Sequence, residues 1–571
     1  MKKLINRPEQ VVPEMLDGLA AIYPHTLLLA GHRVLLRRDA EEVRNRQVAV
    51  ISGGGSGHEP AHAGYVGPGM LSAAVAGEVF TSPNPESVLA AIQAVAGSPG
   101  VLLIVKNYTG DRLNFGLAAE MARSQGIAVE TVIVADDVAL AGAGHYAGAR
   151  GLAGTVFVHK VAGAAAAEGR ALHDVAAIAH ATADAVATMG VSLAAGTAPG
   201  AGQPSYTLGE CEMEIGLGIH GEPGVRRVPL QPADQIADQM IEAILSAQRW
   251  SPGERVAVLV NNLGATTPME LAIFARRVLD VLPSRAFVVE RVYCGTFMTS
   301  LDAAGVSLSL LRVDDTRLAK LDAPATAPAW PAAGNSRPQP IQSRILASGR
   351  LKPVPRQDWS CTGAQSRMQS AVEAACRALV DAEHRLTEMD RTVGDGDLGV
   401  SLARAAKAIE RVLPSYSNFS PAEMLKGIGM TVQWALGGSS GPLYGVFLLR
   451  AAKLLESENA NDPKSWARAV LEGCGAISNI GGASAGDRTM LDALLPFAST
   501  FGAALEQSRP VTEALESAVC AAETGAAATA QMFPRRGRSS YLGERAIGHP
   551  DPGAVAVAIW LRAAASAIVR M

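Results

Sequence analysis

Asp390, Asp395 and Asp397 crowd into the stretch DRTVGDGDLG together with Gly394, Gly396 and Gly399. Glycine lets the backbone turn tightly enough for the three carboxylates to converge, and their mutual repulsion is then offset by a hard cation. A solvated Asp/Gly turn is the plain alternative. The flanks favour the ion, because the turn lies between two alanine-rich helical patterns, one over 363–389 that carries Asp390 at its end and one beginning near Val400. The spacing is not that of a calcium loop, and no Glu stands where that loop needs its last ligand. Mg2+ acting with phosphates is the expected occupant.

A second chemical grouping follows the apolar run VAVIS. In Ser52-Gly53-Gly54-Gly55-Ser56-Gly57-His58-Glu59-Pro60, glycines at the carboxyl end of a parallel strand would offer backbone N–H groups to a ligand, with His58 at the rim. The run VLLIV (101–105) ends in Lys106-Asn107-Tyr108-Thr109-Gly110-Asp111, which brings Lys106 and Asp111 to the same crevice. A general base and a cation for a polar substrate are then available. A glycine turn with His58 merely packing is the alternative.

In Gly216-Leu217-Gly218-Ile219-His220-Gly221-Glu222-Pro223-Gly224 the glycines formally satisfy a dinucleotide fingerprint, but Pro223 forbids the helix that must follow it. What remains is His220, flanked by glycines and open to a ligand at its ring nitrogen. Two further clusters, Gly437-Gly438-Ser439-Ser440-Gly441 and Gly481 to Met490, each precede a helical pattern, so their N–H groups and the helix dipole suit an anion. Two such loops beside a triple-carboxylate turn suggest a polyphosphate bridged by metal. Neither the P-loop nor the protein-kinase motif set is present. The polar stretch Gly537 to Arg545 and Gly548 to Gly553 could close over a nucleotide.

These residues need elements to hold them. Short β-branched runs at VAVIS, 101–105, 129–135, 255–260 and 286–292 alternate with helical patterns, which predicts two α/β lobes built on mostly parallel sheets, over 1–190 and 191–321. The seam is placed at HDVAAIAHATADAVATMG, read as a helix ending at Gly190. Residues 322–362 are rich in Pro, Ala and Gly and read as a linker. Helical periodicity then fills 363–386, 399–412, 421–435, 442–456, 463–479, 487–499, 508–528 and 552–569, an all-helical domain over 363–571.

A chain of 571 residues is too long for one core. A net charge of -4 gives no electrostatic case for nucleic acid or an anionic membrane, and a mean hydropathy of +0.16 argues against disorder. The start lacks a secretory pattern and no apolar stretch reaches a membrane span, so a cytoplasmic protein is expected. Cys211, Cys294, Cys361, Cys376, Cys474 and Cys520 show no paired spacing, which disfavours zinc and disulfides.

Taken together, SGGGSGHEPAHAGYVG, KNYTGDRLNFG, MEIGLGIHGEPG, DRTVGDGDLG, GGASAGDRTMLDAL and GRSSYLGERAIGHPDPGA resemble the ATP-dependent dihydroxyacetone kinase family in its single-chain form, in which a ketone-binding α/β part is fused to a helical nucleotide-binding part. The resemblance covers nearly the whole chain. It implies that His220 holds the ketone carbon as a hemiaminal, that Gly55, Ser56, Gly57, His58, Lys106 and Asp111 bind the triose, and that His58 and Asp111 activate its hydroxyl. It implies Mg2+ on Asp390, Asp395 and Asp397, and ATP against Leu398, Gly399, Gly438, Ser439, Ser440, Gly481, Thr489, Met490, Arg538, Asp551, Pro552 and Gly553. It further implies a barrel of about eight antiparallel helices and a homodimer. The family often has Cys where Leu398 stands, and NNLGATTPMEL carries Ala265 and a second Thr where relatives have Gly and a shorter turn, departures that bear on substrate choice.

A histidine bonded to a carbonyl carbon selects ketones over glycerol, which has no electrophilic carbon. Carboxylate-held ions would stabilise charge on the transferring phosphoryl oxygens. Kinase action on erythrulose or D-glyceraldehyde, a lyase activity on FAD, and a nucleotide-binding regulator of a sugar phosphotransferase system are the alternatives. Fusion of both halves in one chain favours the enzyme. The linker leaves open whether the helical domain serves its own α/β part or that of a second subunit.

Overall fold

The structure, a computed structural model, describes residues 2–140, 149–222, 224–331, 337–338, 363–436 and 440–570. The chain divides into two compact units, Met1–Arg344 and Ile345–Met571. The expected linker falls for the most part outside the described residues.

Unit 1 holds two six-stranded sheets. The strands are β1 (Thr26–Leu28), β2 (Val34–Arg37), β3 (Ala49–Ser56), β4 (Ala73–Val79), β5 (Val101–Lys106), β6 (Val129–Val134), β7 (Val186–Ala194), β8 (Glu212–Ile215), β9 (Arg226–Pro229), β10 (Arg255–Asn262), β11 (Val288–Gly295) and β12 (Ala304–Arg312). The first sheet runs β1-β2-β4-β3-β5-β6, with β4, β3, β5 and β6 mutually parallel through crossover helices. The second runs β11-β10-β12-β7-β8-β9 and is mixed: only β10 and β11 pair in parallel, and every other neighbouring pair is antiparallel. The expectation of mostly parallel sheets therefore describes the first sheet and not the second. In the second, β12 returns antiparallel between β10 and β7, an order set by tertiary packing that local patterns do not encode.

The expected seam is also corrected. The helix is Leu172–Ala183, and VATMGVSLA is β7, so a boundary at 190 would cut a strand of the second sheet. Alanine made the stretch look uniformly helical, whereas Val186, Thr188 and Val191 suit a buried strand better. Each sheet has an apolar core of its own on one face, and the two sheets share a third. Val50, Leu102 and Ile104 of the first share one apolar cluster with Ala257, Leu259 and Leu311 of the second, and Phe157 and Val161 of the helix Thr155–Ala167 join them. That helix is buried from Thr155 to Ala166, as its lack of a polar face requires. Asp136, just past β6, ties the parts together: its carboxylate accepts from Leu152 N at 2.6 Å, Gly154 N at 2.9 Å and Thr188 Oγ1 at 2.5 Å. Burial nevertheless pushes its pKa up to about 6.

Unit 2 has helices and no strand among its described residues. Eight helices pack each on the next, and the last on the first: Gly363–Asp381, Leu398–Val412, Pro421–Ala435, Ser440–Leu455, Pro463–Gly481, Leu491–Glu506, Val511–Ala528 and Pro552–Val569. The ring encloses an apolar cavity of 360 Å³ lined by side chains that include Met368, Leu425, Phe447, Trp466 and Phe497. Pro552–Val569 is long and apolar enough to cross a membrane, yet it closes this ring. Starts are well specified: Ser420 and Glu423 form a reciprocal cap, and Asp462 caps Lys464 N. The pattern over 363–389 resolves into two helices, because the chain breaks at Ala382 and restarts as Glu383–Val393.

Candidate functional site

In unit 1 the glycine run is not a loop. β3 continues through Gly53, Gly54 and Gly55 to Ser56, four residues beyond the apolar run that announced it. The glycines admit close neighbours instead: a Cβ on Gly53 would lie 2.3 Å from Val75 O, and one on Gly55 would lie 2.6 Å from Thr81 N. A Cβ on Gly54 would sit 2.4 Å from Lys106 Nζ and 3.5 Å from Asp111 Oδ2, so its absence leaves space over the charged pair.

His58 is fully buried. Its Nδ1 lies 2.9 Å from Thr299 O, which makes Nδ1 the donor and leaves a lone pair on Nε2, with which no group among the described residues pairs. Burial first, then repulsion from His220 and Lys106, holds the His58 pKa well below the ordinary imidazole value. The strap 297–301 braces this histidine from the far end of the unit. Leu301 N donates to Gly57 O at 2.7 Å, and Thr299 N donates to His58 O at 3.1 Å.

Lys106 ends β5 and is wholly buried, with Nζ 2.9 Å from His62 Nε2, 3.4 Å from Gly53 O and 3.7 Å from Asp111 Oδ2. Burial lowers its pKa, while Asp111 opposes the shift. Asp111 stands in the first turn of the helix Thr109–Ser124 and accepts from Ser82 Oγ. His62 is neutral, its pKa held well down by burial and by Lys106, so it can accept the lysine's hydrogen bond.

His220 meets these residues from the second sheet, on the connection after β8. Its ring lies 4.8 Å from that of His58 and 4.2 Å from that of Tyr108, both edge-on. Burial, Lys106 and Arg150 push its pKa down to about 3, so its imidazole is neutral and nucleophilic across the ordinary pH range. The backbone is held by charge. His220 N donates to Glu222 Oε2 at 2.9 Å, and Arg150 reaches Glu222 at 3.2 Å, Gly216 O at 2.7 Å and Asp137 at 2.6 Å. A Cβ on Gly218 would fall 1.5 Å from Glu222 Oε1, so the carboxylate crosses where that residue has no side chain.

Phe80, Tyr108, His62, His159, Arg150, Glu222 and Thr299 are not among the site residues expected from the sequence. Tyr108, His62 and Glu222 lie inside the quoted motifs, where proximity was a usable signal. Thr299 and Arg150 carried none. Phe80 also adopts φ +56°, a left-handed conformation that costs a non-glycine residue of order 1–3 kcal/mol.

In unit 2, ligand oxygens of Asp390, Asp395 and Asp397 lie within 4.8 Å of one another. Asp390 Oδ2 accepts from Asp397 N at 3.0 Å and Leu398 N at 3.2 Å, closing the turn onto the helix that begins at Leu398. Gly396 takes φ +75°, and a Cβ on Gly394 would lie 2.3 Å from Asp390 Oδ1. Three exposed or half-exposed carboxylates drawn together in one turn fit a hard divalent ion. Gly399 is buried where a Cβ would lie 2.1 Å from Glu383 O, so its role in the fold is helix contact.

The helix Glu383–Val393 packs on the helix Pro552–Val569, whose N-cap is Asp551. The Asp551 side chain accepts from Ala554 N at 2.8 Å, and burial, aided by the charges of Asp492 and Asp390, pushes its pKa up to about 6. Pro552 is buried and Gly553 half-buried in the same first turn. Gly481 and Gly482 end the helix Pro463–Gly481, and Gly482 takes φ +61°. The loop that follows is largely self-satisfied. Ser484 N donates to Asp487 at 2.8 Å, while Gly486 N and Thr489 N donate to Asp492 at 2.5 and 2.8 Å. Those N–H groups, expected to be open to an anion, are thus already paired. Met490 is buried at the start of Leu491–Glu506. Ser440 opens its helix half-buried. Gly438 and Ser439 lie outside the described residues, as does the side chain of Arg538.

The family model of the Dak1 domain matches residues 17–329, and that of the DAK2 domain matches residues 392–566. The chain is 44% identical over 573 residues to the triokinase/FMN cyclase of Homo sapiens, covering 98% of each. It is 35% identical over 578 residues to the D-erythrulose kinase of Mycolicibacterium smegmatis, covering 100% of this chain and 99% of that one. The crystal structure of the C. freundii dihydroxyacetone kinase in complex with AMP-PNP and Mg2+ superposes with a TM-score of 0.61 at 35% identity, over 99% of both chains. The paired domain matches, the near-complete coverage and the shared architecture place the chain in the dihydroxyacetone kinase family, in the form that joins both domains in one polypeptide, as a phosphotransferase acting on an alcohol group.

Proposed function

We propose that the chain phosphorylates dihydroxyacetone with ATP, holding the ketone covalently on His220. The observation that carries this reading is a neutral, half-buried imidazole whose pKa is pushed down to about 3, set 4.8 Å from a second neutral histidine whose Nε2 has no partner among the described residues. In this reading a His220 ring nitrogen adds to the carbonyl carbon. The carbonyl oxygen takes up a proton and the other ring nitrogen releases one, so the adduct is a neutral hemiaminal. Glu222 and Arg150 fix the His220 backbone. Lys106 supplies positive charge beside the substrate, and Gly55, Ser56 and Gly57 line the approach. The terminal hydroxyl gives its proton to His58 Nε2 or Asp111 as its oxygen bonds to the γ-phosphorus and ADP departs.

Asp390, Asp395 and Asp397 would hold Mg2+, which supplies charge neutralisation for the donor phosphates. Leu398, Gly399, Ser440, Gly481, Thr489, Met490, Arg538, Asp551, Pro552 and Gly553, with Gly438 and Ser439, complete the proposed nucleotide set. The C. freundii complex with AMP-PNP and Mg2+ supports ATP and Mg2+ here. Because the Thr489 N–H is already paired, Thr489 would serve a nucleotide through other atoms.

The test uses purified protein, ATP, Mg2+ and dihydroxyacetone labelled with 13C at the carbonyl. Phosphorylation without any relay protein, together with a tetrahedral-carbon resonance that disappears in His220→Ala, supports the reading. Turnover only with a phosphotransferase relay would replace it by the regulator reading. A four-carbon ketose is a second substrate reading, supported by the name of the M. smegmatis relative, and an FMN cyclase activity is the arm suggested by the name of the human one.

The reading includes a homodimer through unit 1. Leu113, Leu117 and Met121 recur every fourth residue on the helix Thr109–Ser124 and stay 66%, 54% and 38% exposed, an apolar stripe suited to a second copy. Sedimentation as a monomer would remove that part.

A further inference from the structure

Phe80 follows β4 and lies against both histidines of the ketone site. Its ring stacks on His58, with centroids 5.4 Å apart and planes 29° apart, and meets His220 edge-on at 5.7 Å and 82°. The same two histidines are 4.8 Å from each other, so three rings close one side of the space they share. The Phe80 backbone is pinned, with its N donating to Ser56 O at 2.9 Å, and it is held at φ +56° although nothing about a phenylalanine favours that region.

Neighbouring glycines admit this residue's backbone and ring. A Cβ on Gly55 would lie 2.9 Å from Phe80 Cα, one on Gly57 would lie 2.9 Å from its Cε1, and one on Gly221 would lie 3.4 Å from its Cε2. The segment bearing His58 therefore lacks side chains where the phenylalanine passes, while the glycine beside His220 stands in ordinary contact with it. A strained backbone, two ring contacts and matching glycines converge on one function. Polar chemistry needs none of them, but a shaped wall does.

We propose that Phe80 determines specificity, its ring forming the wall that limits how long a ketose can lie between His58 and His220. The inference rests on the covalent-ketone reading above. A carbonyl carbon on His220 with its attacking hydroxyl at His58 lies against the ring that touches both, so an added hydroxymethyl group on that side meets the ring face. Removing the ring makes room for it.

The experiment compares kcat/KM for dihydroxyacetone and for the four-carbon ketose erythrulose in the full chain, in Phe80→Ala and in Phe80→Gly. The glycine variant removes the ring and also tolerates the left-handed backbone, so it tests the wall without the strain. The ratio favouring the four-carbon ketose should rise by about tenfold or more in both variants, the scale on which one extra carbon is discriminated in a fitted pocket. A ratio that stays the same or falls in whichever variant folds overturns the assignment. The 13C adduct on the unmodified protein separates the two levels: with no adduct the covalent reading fails and Phe80 with it, whereas an adduct with an unmoved ratio removes Phe80 alone.

Discussion

Glu222 accepts the backbone N–H of His220 at 2.9 Å, and its other oxygen takes Arg150 at 3.2 Å. One carboxylate thus couples the segment bearing the proposed nucleophile to Arg150, which is anchored on Asp137 beyond β6. Glu222→Ala would leave a backbone donor and a half-buried guanidinium short of an acceptor, a loss of about 1–3 kcal/mol. Ketone affinity, read from the adduct resonance, should then fall about tenfold or more while ATP affinity stays unchanged. Glu222→Gln keeps one acceptor oxygen and should retain much of the binding. Equal affinities in all three proteins would show that the coupling does not position His220.

An exposed imidazole loses its nucleophilic nitrogen as pH falls through about 6.5. His220 does not, because burial, Lys106 and Arg150 have moved its protonation to about pH 3. Adduct formation should therefore be level from pH 8 to pH 5 and be lost only as the pH approaches 3. A titration of the tetrahedral resonance checks this. A midpoint near 6.5 would mean that the site is wetter than its burial indicates.

Much of this was legible beforehand and some was not, for physical reasons that particular residues illustrate. Asp390, Asp395 and Asp397 converge within one turn, so sequence spacing alone brings them together. The helices of unit 2 were legible because period-3.6 apolar patterns with Ser, Asp and Pro starts are local signals. His58 and Thr299, by contrast, stand 241 residues apart and meet at 2.9 Å, which no local pattern announces. β7 was hidden by alanines that suit helix and strand packing alike. The loop at 484–490 offered glycines and a helix start as an anion site, but Asp487 and Asp492 satisfy its N–H groups from within the same motif.

His159 is fully buried on the helix Thr155–Ala167, 5.2 Å from the ring of His62, and among the described residues neither of its ring nitrogens has a partner. Burial and Lys106 lower its pKa to about 3. The unfolded chain, with an ordinary imidazole near 6.5, binds more protons than the folded one between those values. Its contribution to stability is therefore fully present above about pH 6.5 and declines as pH falls toward 3, by up to about 1.4 kcal/mol per pH unit. His159→Phe should flatten that decline by about one proton and leave stability at pH 7 unchanged or higher, since two unpaired buried nitrogens go with it. Urea unfolding at pH 5 and pH 7 measures both terms. An undiminished pH slope would show that His159 is not neutral in the folded state for this reason.

The three carboxylates of unit 2 differ in what else they do, which lets fold and ion binding be separated. Asp390 Oδ2 accepts two backbone N–H groups, from Asp397 and Leu398, so it also holds the turn on the helix that follows. Asp395 is exposed in that turn, beside the glycine at φ +75°. Asp395→Asn, which leaves both backbone contacts of Asp390 in place, should therefore abolish Mg2+-dependent ATP affinity. Asp390→Ala should lose the same affinity and also destabilise unit 2 by about 1–3 kcal/mol through its two orphaned donors. Calorimetric titration of ATP with and without Mg2+, alongside urea unfolding, reads both quantities. Mg2+-dependent ATP affinity that survives Asp395→Asn would take the ion away from this turn, and equal stabilities for the two variants would take away the structural role of Asp390.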